Sequence, residues 1–79
     1  SAFRIREERQ GLGYGQHLLR GIIQLIEQAG YREITIGVED DNLRAKHLYQ
    51  KFGFTEFVAR RSESYQGDSY EYDLLLRKA

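Results

Sequence analysis

Three glycines occupy alternate positions in the segment RQGLGYGQHLL, just before a run of residues with helical spacing: Gly11, Gly13 and Gly15. The first amide N–H groups of a helix have no partner within it, and the helix dipole places about half a positive charge at that end. Glycine also lets a backbone come close to a ligand and adopt positive φ. The segment therefore predicts an anion site that suits a pyrophosphate, although a tight strand-to-helix turn would use the same glycines.

The residues around these glycines exclude one common nucleotide site and weaken another. A P-loop has Lys and then Ser or Thr after its last glycine, but Gly15 is followed by Gln16 and His17. The dinucleotide fingerprint G-x-G-x-x-G matches Gly13 and Gly15 but has Leu18 at its third glycine. A dinucleotide-binding, Rossmann-like module therefore stays open as an alternative on these residues.

Hydrophobic spacing predicts the elements that position this loop. Residues 3–5 form a short apolar strand. The apolar residues between 16 and 29 recur every three or four positions, which is typical of one helix face, and Gly30 ends that helix. Residues 32–40 alternate like a strand rich in β-branched side chains.

The second half of the chain repeats the pattern and then changes to strands. Asn42 can cap a second helix that Gly53 ends, and residues 54–76 predict two strands around a turn at QGDS. In the last strand one face would carry Tyr70, Tyr72, Leu74 and Leu76. We expect an α/β fold in which two helices pack on a mixed sheet, because a strand–helix–strand unit pairs in parallel and the final hairpin in antiparallel.

Length and composition limit the function classes. The 79 residues suffice for one domain over 1–79, and 12 basic and 12 acidic residues cancel, so no nucleic-acid or membrane partner is indicated. No cysteine is present, which fits a cytoplasmic protein. His17 and His47 have no clustered acid or cysteine, so we expect two surface histidines and no metal site. Lys51 and the pair Arg60 and Arg61 are expected to be solvated, although the arginine pair could also meet an acidic partner.

Two segments in register resemble the GNAT acetyltransferase superfamily. The first matches its Q/R-x-x-G-x-G/A signature, and the second, VEDDNLRAKHLYQKFGF, matches N-x-x-A-x-x-L-Y-x-K-x-G-F. One helix and one strand separate them, as in that family. The resemblance implies that the chain forms the C-terminal half of an acyl-CoA N-acyltransferase fold. A start without Met agrees with a piece of a longer protein.

The resemblance implies acetyl transfer from acetyl-CoA to a primary amine. The strand ending at Ile5 would pair with the pantetheine arm, Asn42 would contact the same region, and Tyr49 would act as general acid at the sulfur. A phenol with a pKa near ~10 stays protonated at neutral pH and can donate as the thiolate leaves. The pyrophosphate would be held by the backbone of Gln10, Gly11, Leu12, Gly13, Tyr14 and Gly15.

Other interpretations remain beside this one. Tyr49 lies on the apolar stripe of its helix, so packing alone would explain it, and the fold could also serve as a non-catalytic interaction domain. The acceptor pocket and general base belong to the other half of the family's fold, so this piece is expected to be inactive alone. We also expect a homodimer, formed through an exposed sheet edge beside residues 3–5 and 32–40 or by hairpin exchange.

Overall fold

The computed structural model describes residues 2–5 and 15–79. The elements follow in the expected order: β1 (Ala2–Ile5), α1 (Gln16–Gln28), β2 (Glu33–Glu39), α2 (Leu43–Lys51), β3 (Glu56–Tyr65) and β4 (Asp68–Lys78). Within the described ranges, neither helix is long and apolar enough to cross a membrane.

The four strands form one mixed sheet in the order β1-β2-β4-β3. β1 pairs in parallel with β2, and β4 enters between β2 and β3 with antiparallel pairing on both sides. The mixed sheet with two helices is confirmed. The prediction of an exposed sheet edge beside residues 32–40 is wrong, because β4 pairs with β2 from Glu33 to Glu39. The strands at the edges of the sheet are β1 and β3. The antiparallel β4 also argues against a parallel Rossmann-like sheet.

Both helices pack on the same face of the sheet. Ile34, Ile36 and Val38 alternate along β2 and point to that face, where they join one buried cluster with residues of α1 and α2. The helical members of the cluster are Leu19, Ile23, Ile26, Ala45 and Tyr49. The anion-site helix and the predicted catalytic tyrosine therefore lie on one side of the sheet.

The apolar face predicted for α1 is wider than the face that is buried. Leu18 and Leu25 are 57% and 68% exposed, although the spacing placed them with the core residues. Seven apolar residues over four turns cover more of the helix circumference than one sheet can bury, and these two lie at the margin of the stripe. The flanking polar residues His17, Gln24 and Gln28 are exposed, as expected.

Glycines end both helices in the same way. Gly30 and Gly53 have φ values of 96° and 93°. After α1, the amide of Gly30 donates to the Glu27 carbonyl and that of Tyr31 to the Ile26 carbonyl. These two bonds are the Schellman pattern, which requires a left-handed residue that glycine adopts without strain.

The hairpin closes with a two-residue turn inside the predicted QGDS segment. Gln66 and Gly67 both have positive φ, 51° and 84°, which is the type I′ geometry that matches the twist of the flanking strands. Tyr72, Leu74 and Leu76 share one face of β4, as the alternation predicted. This face is the one opposite the helices.

Candidate functional site

The start of α1 is an exposed positive helix end, and no side chain of the described residues neutralises it. Gly15 is the N-cap, its carbonyl accepts from the Leu19 amide at 2.9 Å, and within residues 2–5 and 15–79 no side chain caps the helix. The first turn contains no acidic residue. A Cβ added at Gly15 would meet no atom of the described residues within 4 Å. The geometry leaves the helix dipole available to an external anion.

Positive φ is not the reason for glycine at position 15. Its φ of −63° and ψ of 156° are open to any residue, so the space around it is the feature that favours a ligand. The other five predicted loop residues, 10–14, lie outside the described residues. Their role in holding a pyrophosphate stays a prediction.

Ile5 ends β1 beside the middle of β2. It is 5% exposed and pairs with Ile36 in the parallel ladder. In the described residues this is the last β1–β2 pair, while β2 continues to Glu39. The carboxyl ends of parallel strands are where open α/β sheets bind their ligands, and the cofactor contact at Ile5 stays a prediction.

Asn42 caps α2 with its side-chain oxygen. Oδ1 accepts from the amide of Ala45 at 3.1 Å, and the Asn42 carbonyl accepts from the Lys46 amide. The predicted capping role is therefore confirmed. Since Oδ1 serves the helix, the side-chain NH₂ is the part of Asn42 that could donate to a ligand.

Tyr49 is fully buried, with 0% exposure, and belongs to the same cluster as Leu19 and Ile23 of α1. Its ring packs edge to face with Phe54, 6.2 Å between centroids, and its carbonyl accepts from the Phe54 amide at 3.0 Å. The motif letters L-Y-x-K-x-G-F thus encode a helix end in which Gly53 turns the chain and Phe54 returns onto Tyr49. Packing is one established role of Tyr49, and a catalytic role would come in addition.

The residues expected to be solvated are mostly so. His17, His47 and Lys51 are exposed. Arg60 and Arg61 are exposed as well, and Arg60 in addition binds a buried carboxylate. Within residues 2–5 and 15–79, no three His, Cys, Asp or Glu side chains come together as a metal-binding group.

A buried acid next to the start of α2 was missed by the sequence interpretation. Asp73 is 3% exposed and accepts from Lys46 Nζ at 2.8 Å and from Arg60 Nε at 2.7 Å. Lys46 also donates to the Asp40 carbonyl at 2.7 Å, which ties the β2–α2 loop to β4. The hydrogen bond from Arg60, supported by Lys46, lowers the pKa of Asp73 and raises that of Arg60. A lone acid in the apolar run YDLLL was the available signal, because buried acids are almost always paired.

Comparison with known proteins supplies the family. The sequence profile of the acetyltransferase (GNAT) family matches residues 1–54, about two thirds of the chain and without the β3–β4 hairpin. The spermine/spermidine N(1)-acetyltransferase of Bacillus subtilis (strain 168) is 40% identical over 53 residues, which are 66% of this chain and 35% of the relative. The chain thus spans about a third of that relative.

Solved structures share the fold at low sequence identity. A GNAT family acetyltransferase from Elizabethkingia anophelis, with acetyl-CoA bound, superimposes with a TM-score of 0.73 at 22% identity, over 99% of this chain and 61% of that protein. The protein yncA of Salmonella typhimurium, solved with its cofactor acetyl-CoA, gives 0.70 at 20% identity, over 96% and 48%. With the profile match over both motifs, these likenesses lead to one conclusion: the chain belongs to the acetyltransferase (GNAT) family.

Proposed function

We propose that this chain carries the acetyl-CoA-binding part of an N-acetyltransferase that acts on a primary amine. The observation that supports this most is the start of α1, an uncapped helix end without an acidic first turn, at the end of the family's glycine-rich signature. Because the chain spans only part of its relatives, the activity of the whole protein is part of this proposal.

The donor would bind along the carboxyl ends of β1 and β2. The amides of residues 10–15 and the first turn of α1 would hold the pyrophosphate, which a helix N-terminus favours through its free N–H groups and its dipole. The backbone at Ile5 would pair with the pantetheine arm as an added strand. The open space at Gly15 fits this arrangement, since nothing in the described structure fills it.

Asn42 and Tyr49 would act at the reacting end. The thioester supplies the acetyl group when acetyl-CoA is bound. The NH₂ group of Asn42 would donate to the arm, because its Oδ1 already serves the α2 cap. The Tyr49 hydroxyl would protonate the departing sulfur, and its position on the same face of the sheet as α1 supports that assignment.

A cationic acceptor is the first class to test. The curated relative at 40% identity has spermine and spermidine in its name. In this chain, three consecutive acids, Glu39, Asp40 and Asp41, stand where β2 ends and α2 begins. Negative charge beside the proposed donor site would attract an amine in its protonated form.

Isothermal titration calorimetry and thermal denaturation, each with CoA and with NAD, test the donor assignment. We expect CoA to bind and to raise the melting temperature, as any ligand of the folded state does, while NAD has no effect at the same concentration. Binding of NAD in preference to CoA would contradict the proposal. Failure to bind CoA would instead favour the non-catalytic interaction domain.

The homodimer remains a prediction, and the fold favours one route to it. Exchange of the hairpin would break the β2–β4 ladder from Glu33 to Glu39, because β4 lies inside the sheet. The β3 edge carries a register shift between Phe57 and Ala59, a feature that discourages edge pairing. Pairing through β1 is therefore the expected contact, and sedimentation velocity over a range of concentrations would detect it.

A further inference from the structure

A chain of polar contacts crosses the sheet on the face opposite the helices. Arg4 of β1 donates from Nη2 to the Tyr72 hydroxyl at 3.0 Å, and its guanidinium lies 5.5 Å from the ring centroid of Tyr72. The Tyr72 hydroxyl donates in turn to Oε1 of Glu63 at 2.9 Å, and the Tyr70 hydroxyl donates to Oε2 at 3.1 Å. Tyr72 of β4 thereby connects the two edge strands, β1 and β3.

The chain of contacts crosses β2 at a glycine. A Cβ at Gly37 would lie 3.2 Å from Cδ2 of Tyr72 and 3.8 Å from Nη2 of Arg4. Glycine inside a strand weakens the strand and often marks a close approach by another group. The Tyr72 ring fills the space over Gly37, and this accounts for glycine in an otherwise β-branched strand.

The contact lies where β1 and β2 cease to be paired in the described residues. Arg4 precedes Ile5, whose partner Ile36 is followed by Gly37. β1 has only four residues and lies at an edge, so its ladder with β2 holds it weakly. The bond between Arg4 and Tyr72 adds a side-chain attachment at the carboxyl end of this short strand.

We propose that Tyr72 is a positioning residue for acyl-CoA binding, because its contact with Arg4 fixes the carboxyl end of β1 against the sheet. This inference rests on the proposed function, in which the backbone at Ile5 pairs with the pantetheine arm. An edge strand that is already fixed loses less conformational freedom when a ligand pairs with it, so binding is tighter. Tyr72 lies on the face of the sheet opposite the helices, so it affects the ligand only through Arg4 and β1.

Tyr72→Phe tests the proposal, with Tyr70→Phe as the matched control. Both changes remove a phenol that donates to Glu63, but only the first removes the acceptor of Arg4. CoA affinity is measured by calorimetry, and amide hydrogen exchange by NMR for β1 and for residues 74–76 of β4. For Tyr72→Phe we expect about tenfold weaker CoA binding and about tenfold faster exchange in β1, the size expected for one hydrogen bond to a charged group.

The distribution of the exchange rates separates positioning from general stability. Faster exchange confined to β1 supports the proposal, whereas equal acceleration in residues 74–76 indicates loss of overall stability and contradicts it. Arg4→Met, at an exposed position, removes the same contact from its other side and should reproduce the result even if Tyr72→Phe folds poorly.

Two failures have different signatures. If Tyr72→Phe matches Tyr70→Phe in both exchange and CoA affinity while the unaltered chain binds CoA, the positioning role is overturned and the proposed function survives. If the unaltered chain does not bind CoA, the proposed function is overturned, and the role of Tyr72 in binding is overturned with it.

Discussion

The guanidinium of Arg77 occupies the space that a side chain at Gly53 would need. A Cβ at Gly53 would lie 2.7 Å from Nη1 of Arg77, closer than real Cβ contacts occur. Arg77 is held there, because Nη1 donates to the Phe52 carbonyl at 2.6 Å and Nη2 to Oε2 of Glu27 at 3.1 Å. Position 53 is therefore glycine for two reasons, its φ of 93° and the presence of Arg77.

Gly53→Ala should destabilise the chain more than Gly30→Ala. Both glycines have left-handed φ, which costs an alanine about 1–2 kcal/mol. At Gly30 a Cβ meets nothing within 4 Å, whereas at Gly53 it must displace Arg77 from the Phe52 carbonyl. Loss of that bond should add about 1 kcal/mol to the change in the free energy of unfolding. Urea titration of both variants gives the difference, and equal losses would show that Arg77 moves aside without cost.

Tyr49→Phe separates chemistry from packing at the centre of the core. The ring and its contact with Phe54 are retained, so the melting temperature should change little. If the hydroxyl protonates the departing sulfur, acetyl transfer to a primary amine by the whole protein should fall by about 10²–10⁴-fold, the usual contribution of a general acid. Release of CoA followed with a thiol reagent measures the rate.

The control for Tyr49 is a second phenol that is removed in the same way. Tyr31→Phe acts at a half-buried residue whose ring packs against Phe3. Its rate of acetyl transfer should stay near that of the unaltered protein. A comparable loss in both variants, or an unchanged rate in Tyr49→Phe, would remove Tyr49 from the chemistry and leave it a packing role.

Asn42 can be tested by two substitutions that divide its roles. Asn42→Ser keeps an oxygen that can accept from the Ala45 amide, so the stability of α2 should be preserved. Asn42→Ala removes the cap and should cost about 1 kcal/mol of unfolding free energy. Both variants lack the side-chain NH₂ group, so both should bind CoA more weakly. Normal CoA affinity in the stable Ser variant would mean that Asn42 only caps the helix.

The sequence predicted the order of elements because each has a strong local signal. Gly30 and Gly53 end helices through backbone conformation, and Asn42 caps through a bond three residues away, so the chain near each residue determines the outcome. The position of β4 between β2 and β3 depends on pairing across more than thirty residues, which no local pattern specifies. The expected edge at β2 was wrong for that reason.

The candidate site shows the same division between local and distant determinants. The motifs predict Tyr49, Asn42 and Gly15 as site residues, because the spacing within one segment carries the signal. Asp73 and Tyr72 were missed as members of polar clusters, since their partners Lys46 and Arg4 are 27 and 68 residues away. The sequence shows that Lys46 and Arg4 are charged, but it does not show which strand each side chain will contact.

The buried carboxylate of Asp73 should make stability depend on pH in the acid range. An aspartate in an unfolded chain has a pKa of ~3.9. In the folded chain the pKa of Asp73 is lower, chiefly because Arg60 donates a hydrogen bond to the carboxylate. At neutral pH the stabilisation is fully present. As the pH falls below ~4 the unfolded chain binds a proton that the folded chain does not, so the free energy of unfolding decreases until the pH reaches the folded-state pKa.

Asp73→Asn should remove this part of the acid dependence and lower stability at neutral pH. An amide is uncharged and has one acceptor oxygen where the carboxylate has two, so the variant loses both ion pairs and the hydrogen bond at one oxygen, and we expect a loss of about 1–3 kcal/mol at pH 7. Below about pH 4, the loss relative to the unaltered chain should shrink, because protonation of Asp73 in the unfolded state lowers the stability of the unaltered chain. Urea titrations at several pH values give both quantities. Asp41→Asn, at an exposed acid, is the control and should leave the acid dependence in place. A difference between Asp73→Asn and the unaltered chain that stays constant down to pH 2 would show that Asp73 contributes by packing and not by its charge.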